Sequence, residues 1–410
     1  MVIIYNIVIS LYYSAILISS IFNKKARLWI NGRKNFWNNF KNNLPQGDII
    51  WFHSASLGEF EQGRPILEQL KKKYPGYKIC LSFFSPSGYN AIIDKTDDFV
   101  IYLPIDTKKN AKKFIELLNP KIAIFVRYEF WYHYLKQLYI KNIPSILVSA
   151  NFRKNQMFFK WYGKWYRNIL KFYTLIFVQN NKSAELLNKY NIKTFVSGDS
   201  RIDRVYEISQ SGKQIDFINE FKNGKKIIIF GSAWNDEIKL LQNFLSFGNK
   251  NIKYIIAPHL VHRENIERII KELPLSHILY SNLNSTSNFE NDCLIIDKIG
   301  ILPFLYQYAD IAVVGGGFLD GIHSILEPAT FGIPVIFGPK YHKFNEAIDL
   351  IEIGASFSVK NQNEFNDIIN KLLNNHDFYK NSSLLTKEYI KNNIGATKKT
   401  LEIIEQNQLL

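Results

Sequence analysis

The side chain in this sequence best placed to move a proton is a glutamate lying between a turn of small residues and a helical pattern. It is Glu59, in the stretch Ile49-Ile-Trp-Phe-His-Ser-Ala-Ser-Leu-Gly-Glu59. The apolar run Ile49–Phe52 reads as a short buried parallel strand, Ser54–Gly58 as the turn, and a helix is predicted to begin near Glu59. In open α/β sheets ligands gather outside the carboxyl ends of the strands, and Gly58 would let a substrate approach the backbone. A helix N-terminus favours negative charge, so a carboxylate there suits a general base better than an acid. The same position suits a carboxylate that only caps its own helix.

A second cluster carries phosphate chemistry. Ala309–Val314 reads as a strand that runs into Gly315, Gly316 and Gly317, with His323, Ser324, Glu327-Pro328 and Gly332-Ile-Pro334 following and a helix expected from near Ser324. Backbone amides at such a turn can hold a phosphate without a metal, and Glu327 can accept hydrogen bonds from a ribose diol. Each part also has a plain structural use: the glycines as a tight turn, His323 as a satisfied buried imidazole, Glu327 as a cap. Two further turns follow strands of the same region. Gly231-Ser232-Ala233-Trp234 offers the Ser232 hydroxyl, and Pro258-His259 offers an imidazole to a phosphate, or either residue caps a helix. Earlier in the chain, Ser85-Pro86-Ser87-Gly88 and Arg127-Tyr128-Glu129 end strands near the Glu59 turn and can shape an acceptor pocket.

These residues need sheets to hold them. Apolar runs near 78–84, 99–103, 121–126, 145–149 and 174–178 alternate with helical patterns after the first strand. A second series follows near 225–231, 252–257, 277–280, 293–296, 310–314 and 334–337. Alternation of this kind predicts parallel sheets covered on both faces. The expected domains are an N-terminal Rossmann-like domain over 48–205, a hinge over 206–224, a C-terminal one over 225–382, and a long crossover helix within 383–410. The Asn- and Ser-rich run Ser281–Asn291 reads as a surface loop.

Val2–Phe22 contains no charged residue, and 21 helical residues cover about 30 Å, the hydrocarbon thickness of a bilayer. Residues 1–23 are therefore expected to form a membrane anchor or an in-plane membrane helix, although a buried helix fits the same pattern. Lys24, Lys25 and Arg27 follow the apolar run, against the order of a cleavable signal, and residues 24–47 read as a basic interfacial linker that stays cytoplasmic. The chain of 410 residues carries 51 Lys and Arg against 36 Asp and Glu, a net charge of +15, which suits an anionic partner or merely a lysine-rich solvated surface. No zinc-type or arginine-rich nucleic-acid motif occurs. Cys80 and Cys293, far apart and each in an apolar run, read as reduced buried thiols. Between Phe152 and Phe172, six Lys and Arg interleave with aromatics, a pattern suited to lipid headgroups or to a helix with an aromatic core face.

Together, His53-Ser-Ala-Ser56-Leu-Gly58-Glu59, Ser85-Pro86-Ser87-Gly88, Tyr128-Glu129-Phe-Trp131, Asp199-Ser-Arg201-Ile-Asp203-Arg204-Val205 and Gly321-Ile-His323-Ser324-Ile-Leu-Glu327-Pro328-Ala329 resemble the 3-deoxy-D-manno-oct-2-ulosonic acid (Kdo) transferases of lipopolysaccharide synthesis. The similarity runs in order through nearly the whole chain. It implies an α/β GT-B glycosyltransferase, with two Rossmann-like domains, a cleft between them and an N-terminal membrane-anchor helix. It further implies an inner-membrane enzyme facing the cytoplasm, with CMP-Kdo as donor, a lipid A precursor as acceptor, and neither cofactor nor metal. By that resemblance Glu59 is the catalytic base, Ser56, Gly58, Ser87, Arg127 and Glu129 border the acceptor, and Ser232, Pro258, His259, Gly316, Gly317, His323, Ser324 and Glu327 hold the donor. The sequence departs from the family pattern at Ser324, where Asn is expected, at Ala233, where a hydroxyl residue is expected, and at His259, where many relatives carry Arg. Another GT-B enzyme using a UDP-sugar, or a non-catalytic nucleotide-binding membrane scaffold, would share the glycine turns.

Overall fold

The apolar runs form strands, and every strand pair is parallel. The computed structural model describes residues 1–246, 251–284, 287 and 289–410. Strands β1 (Ile49–Ser54), β2 (Lys78–Phe83), β3 (Phe99–Tyr102), β4 (Ile122–Val126), β5 (Ser145–Ala150), β6 (Leu175–Val178) and β7 (Phe195–Val196) form one sheet, ordered β3-β2-β1-β4-β5-β6-β7. Strands β8 (Lys226–Ala233), β9 (Ile252–Pro258), β10 (His277–Leu279), β11 (Cys293–Ile295), β12 (Ile311–Val314), β13 (Val335–Phe337) and β14 (Ser356–Ser358) form another, ordered β10-β11-β9-β8-β12-β13-β14. Each sheet reverses its strand order once, between β1 and β4 in the first and between β8 and β12 in the second. Ligand-binding crevices open at such reversals, beyond the carboxyl ends of the strands.

The chain divides into two compact units, Met1–Arg204 with Gly395–Leu410, and Val205–Ile394. In the first unit successive residues of β1 point to opposite faces of the sheet. Ile49 and Trp51 join a core with Phe114, Phe125 and Tyr134, while Ile50 and Phe52 join another with Phe60, Leu70 and Ile404. A sheet buried on both faces needs apolar residues at every position, which explains why β1 reads as an unbroken apolar run. The helix Leu57–Lys73 lies close on this sheet because residue 63 is glycine: a Cβ there would come within 2.6 Å of Val126 and 2.7 Å of Phe52. The second unit has its own core around Ile228, Phe230, Leu241, Ile256 and Phe365.

Several elements differ from expectation. The two edge strands β7 and β14 have two and three residues, too short to leave a periodic signal. Residues 206–224 include the second half of the helix Ser200–Gln210 and the whole of Ile218–Lys222. The 24–47 segment folds into helices Lys24–Asn31 and Phe36–Asn42. The final helical pattern is two helices, His376–Asn393 and Ala396–Gln406, parted at Gly395, whose φ of +100° a side chain would rarely adopt. The last of these returns to the first unit, where Asp203 accepts the amides of Gly395 and Thr397 at 2.6 Å each and so caps its N-terminus. Of the expected loop Ser281–Asn291, residues 285, 286 and 288 lie outside the described residues.

The helix Val2–Ser19 is long and apolar enough to cross a membrane. Cys80 and Cys293 are free, buried thiols, as their apolar surroundings predicted, and burial raises the pKa of each.

Candidate active site

In the first unit the turns after β1 and β4 flank the reversal of strand order. The helix after β1 begins at Leu57 rather than at Glu59, with Ser56 as its N-cap in extended conformation. Glu59 therefore sits at the third helical position, where a capping box would turn its carboxylate back onto the Ser56 amide. It instead accepts the Ser56 hydroxyl, and the Ser56 side chain makes no cap bond to the helix. Glu59 is half-buried and Gly58 beside it is exposed. A Cβ on Gly58 would meet only the Ser56 hydroxyl, at 3.8 Å, so the protein's own packing does not require a glycine there.

A buried polar chain supports this turn from below. His53 and Glu129 are almost wholly enclosed, 0% and 2% exposed. Trp51 Nε1 donates to Ser82 Oγ at 2.7 Å, and His53 Nδ1 lies 2.7 Å from the same hydroxyl. His53 Nδ1 also lies 3.0 Å from the Ser82 carbonyl, and its Nε2 lies 3.1 Å from Glu129 Oε2. The same carboxylate oxygen accepts the Trp131 indole at 2.5 Å. Glu129, expected beside an acceptor, is almost wholly enclosed, and its carboxylate is engaged by Trp131 and His53. His53 and Trp131 entered the sequence reading as motif members without a role.

Arg127 is different. It follows β4 with φ +74°, a backbone region that costs a non-glycine residue of order 1–3 kcal/mol and that clusters at functional sites. Its guanidinium lies 5.0 Å from the Tyr128 ring, and its Nε is buried without a hydrogen-bond partner among the described residues. Ser54 Oγ, at the end of β1, is likewise buried and unpaired. Ser54 ends β1 and Arg127 directly follows β4, the two strands that flank the reversal. Ser87 is exposed on the first turn of helix Pro86–Ile92, 3.1 Å from the Ser85 hydroxyl.

In the second unit the turns after β8, β9 and β12 come together. Ser232 has φ +51° and lies in a break of register between β8 and β9. Its carbonyl would be 2.1 Å from a Cβ on Gly315, and a Cβ on Gly317 would lie 2.5 Å from the Gly338 amide. These glycines let backbone pack on backbone. Trp234 caps the helix Asn235–Leu245, and Glu237, buried within that helix, accepts the Trp234 amide at 2.9 Å and the Gly316 amide at 3.1 Å. The Gly316 amide, expected to face a phosphate, is therefore already occupied. The pattern Trp234-x-x-Glu237 held the signal for this tie, since a glutamate three residues after a cap position returns to the turn. Burial raises the Glu237 pKa, and the hydrogen bonds from these backbone amides oppose the rise.

Three aromatic rings stack beside these turns. Trp234 lies on His259 with ring centres 4.2 Å apart, and His259 on His323 at 4.6 Å, while Trp234 Nε1 donates to His323 Nε2 at 3.2 Å. Burial lowers the pKa of both imidazoles, and the neighbouring His259 lowers His323 further, so both are neutral near pH 7. Pro258 is buried at the end of β9. The helix after the glycines starts at Leu326 rather than near Ser324 and has five residues, so its dipole is small. Glu327 lies in its first turn, and burial pushes its pKa up to about 7, against the hydrogen bond of the exposed Ser324. Trp234 and Glu237 are the residues that sequence reasoning missed here.

Two parallel Rossmann-like sheets, each with polar side chains gathered at its strand-order reversal, define a GT-B fold. UDP-GlcNAc 2-epimerase from Neisseria meningitidis is similar in fold, with a TM-score of 0.61 and 16% identity over 88% of this chain and 100% of that one. A family model described as 3-deoxy-D-manno-octulosonic-acid transferase matches residues 29–204. The 3-deoxy-D-manno-octulosonic acid transferase of Aquifex aeolicus is 32% identical over 334 residues, 79% of this chain and 86% of the relative. That of Haemophilus influenzae is 26% identical over 401 residues, 94% of this chain and 93% of the relative. The chain belongs to the Kdo transferase family of glycosyltransferases.

Proposed function

We propose that the chain moves Kdo from CMP-Kdo to a sugar hydroxyl of a lipid A precursor such as lipid IVA, with inversion at the anomeric carbon and without a metal. The observation that carries this reading is the Glu59 carboxylate, half-buried at the first helical turn beside an exposed glycine and bonded to the Ser56 hydroxyl rather than to its helix. Glu59 takes the proton of the acceptor hydroxyl as that oxygen bonds to the anomeric carbon. The bond from the anomeric carbon to the phosphate oxygen breaks, and CMP leaves with the electron pair. A single displacement of this kind needs one base and inverts the centre.

The first unit serves the acceptor and the second the donor. Ser56, Gly58 and Ser87 border the reacting sugar, and Arg127, with its unpaired Nε, takes an anionic group of the substrate. Ser232, Pro258, His259, Gly317, His323 and Ser324 surround the nucleotide, with Trp234 stacked among them, and Glu327 accepts the ribose hydroxyls. The helix Val2–Ser19 holds the chain on an anionic membrane, on the cytoplasmic face of the inner membrane.

The test is transfer itself. The purified full chain, incubated with lipid IVA and freshly generated CMP-Kdo, should raise the acceptor mass by one or more Kdo units, with inverted anomeric configuration by NMR. No mass gain with CMP-Kdo, together with a gain from a UDP-sugar, would replace the donor assignment.

A further inference from the structure

The N-terminal helix has two unlike sides, and the first touches the first unit at separate points between Val2 and Ile16. Val2, Tyr5, Ile9, Tyr12 or Tyr13, and Ile16 recur every three or four residues and so share one side of the helix Val2–Ser19. The Tyr5 hydroxyl donates to Asp106 Oδ2 at 2.5 Å, and Asn6 Oδ1 lies 2.7 Å from His133 Nε2. Asp106 is 1% exposed and also accepts the amides of His133 and Tyr134 at 3.0 and 3.1 Å, so Tyr5 completes a carboxylate that belongs to the fold. Ile9 is buried, Tyr12 stacks on Phe84 at 6.2 Å, and Tyr13 lies 6.1 Å from Trp29. At the far end Arg27 closes the corner, donating to the Ser20 and Ile21 carbonyls at 3.2 and 2.8 Å.

The second face carries Ile3, Ile4, Ile7, Val8, Leu11 and Ile18, all exposed. From Tyr5 to Ile16 the docked contacts run along roughly 17 Å of helix axis. A helix crossing the bilayer would have to give these contacts up, or carry Asp106 and His133 to hydrocarbon depth, where ionisable groups are costly. A helix held to the protein on one side and apolar on its exposed side instead suits a position in the interface, with the exposed side in the acyl chains. The surroundings match an anionic lipid surface. Lys24 and Lys25 are exposed directly after the helix, and the segment that meets Tyr5 through Trp165 exposes Met157, Trp161, Lys154, Lys160 and Lys164.

We propose that this helix lies in the plane of the membrane surface and does not cross the bilayer, with the Tyr5–Ile16 stripe docked on the first unit and the Ile3–Ile18 stripe inserted among lipid tails. The proposal rests on the membrane association given under Proposed function. The exposed stripe can be probed one residue at a time, because both native thiols are buried. Ile3→Cys, Ile7→Cys, Leu11→Cys and Ile18→Cys, each spin-labelled in the full chain, are bound to vesicles of phosphatidylglycerol and phosphatidylethanolamine, and label depth is read from collision with oxygen and with a nickel chelate. An in-plane helix puts all four labels at one shallow depth, about 5–10 Å into the headgroup and acyl boundary. A profile with Leu11 deepest and Ile3 and Ile18 emerging at opposite faces overturns the proposal. Protein that floats with the vesicles while all four labels stay in water overturns it too and leaves membrane association standing. Protein that does not float refutes both.

Discussion

Gly58→Ala separates a glycine kept for a substrate from one kept for the fold. The alanine Cβ would meet only the Ser56 hydroxyl, at 3.8 Å, and residue 58 already lies in a helix. Alanine in place of a helical glycine adds up to about 1 kcal/mol of stability. In a unit of this size that raises the melting temperature by about 1–4 °C. If Gly58 is the surface on which the acceptor sugar rests, transfer should nonetheless fall by about tenfold or more, because a methyl displaces the reacting hydroxyl from the carboxylate beside it. The assay pairs thermal unfolding of the full chain with the transfer rate at several acceptor concentrations. Gly63→Ala is the contrast: its Cβ would come within 2.6 Å of Val126 and 2.7 Å of Phe52, so overpacking should cost about 1–3 kcal/mol of stability. A Gly58→Ala protein that is more stable and transfers at the wild-type rate would refute the reasoning, because the glycine would then serve neither substrate nor fold.

Glu59→Gln keeps the side-chain shape on a half-buried site, so stability should hold within about 0.5 kcal/mol, while turnover drops at least about 100-fold; a mutant keeping a tenth of wild-type turnover would remove Glu59 as the base. Glu327 is raised to about 7 from the ordinary carboxyl range, so the folded state holds a proton that the unfolded chain releases near pH 4.5, and its contribution to stability falls as pH rises from there to about 7. Glu327→Gln should flatten that part of the stability profile, and the wild-type protein should bind cytidine about tenfold more tightly at pH 8 than at pH 6, read by calorimetry; a flat profile removes the ribose role. Asp203→Ala breaks two charged caps on the last helix and should cost about 1–3 kcal/mol in urea unfolding, with residues 396–410 cut first by protease; unchanged unfolding would show the helix held by its apolar face alone. Transfer should persist in EDTA, and a loss restored by Mg²⁺ would overturn the metal-free mechanism.

The first sheet was largely legible because β1, β4 and β5 are buried on both faces and so could be built only from apolar residues. The same reasoning located the turns at 127–129 and 315–317, since each directly follows such a strand, whereas Ser54, Ser232 and Ala233 prolong their strands and Leu57 and Gly58 already belong to a helix. What escaped was decided by contacts between distant parts of the chain. Nothing near Glu129 in sequence indicates that His53 closes over it, and nothing beside Gly316 announces that Glu237 takes its amide. Asp203 read as part of a motif, and only the return of the last helix gives it a partner. Short edges such as Ser356–Ser358 carry too few residues for any period to register. The break at Gly395 was visible as a glycine but was outweighed by the helical pattern on either side.

The last helix belongs to the first unit, and this sets the order in which the chain can finish folding. Leu401 and Ile404 fill a core shared with β1, yet the whole of residues 205–394 is synthesised between that core's main body and its final piece. At about 5–20 residues per second a ribosome spends roughly 10–40 s on that interval. Through this time the first unit stands with part of a sheet face uncovered and Asp203 without the amides it caps, beside an apolar N-terminal helix made at the outset. Completion waits for the helix Ala396–Gln406, and its removal would unsettle the half of the protein made first.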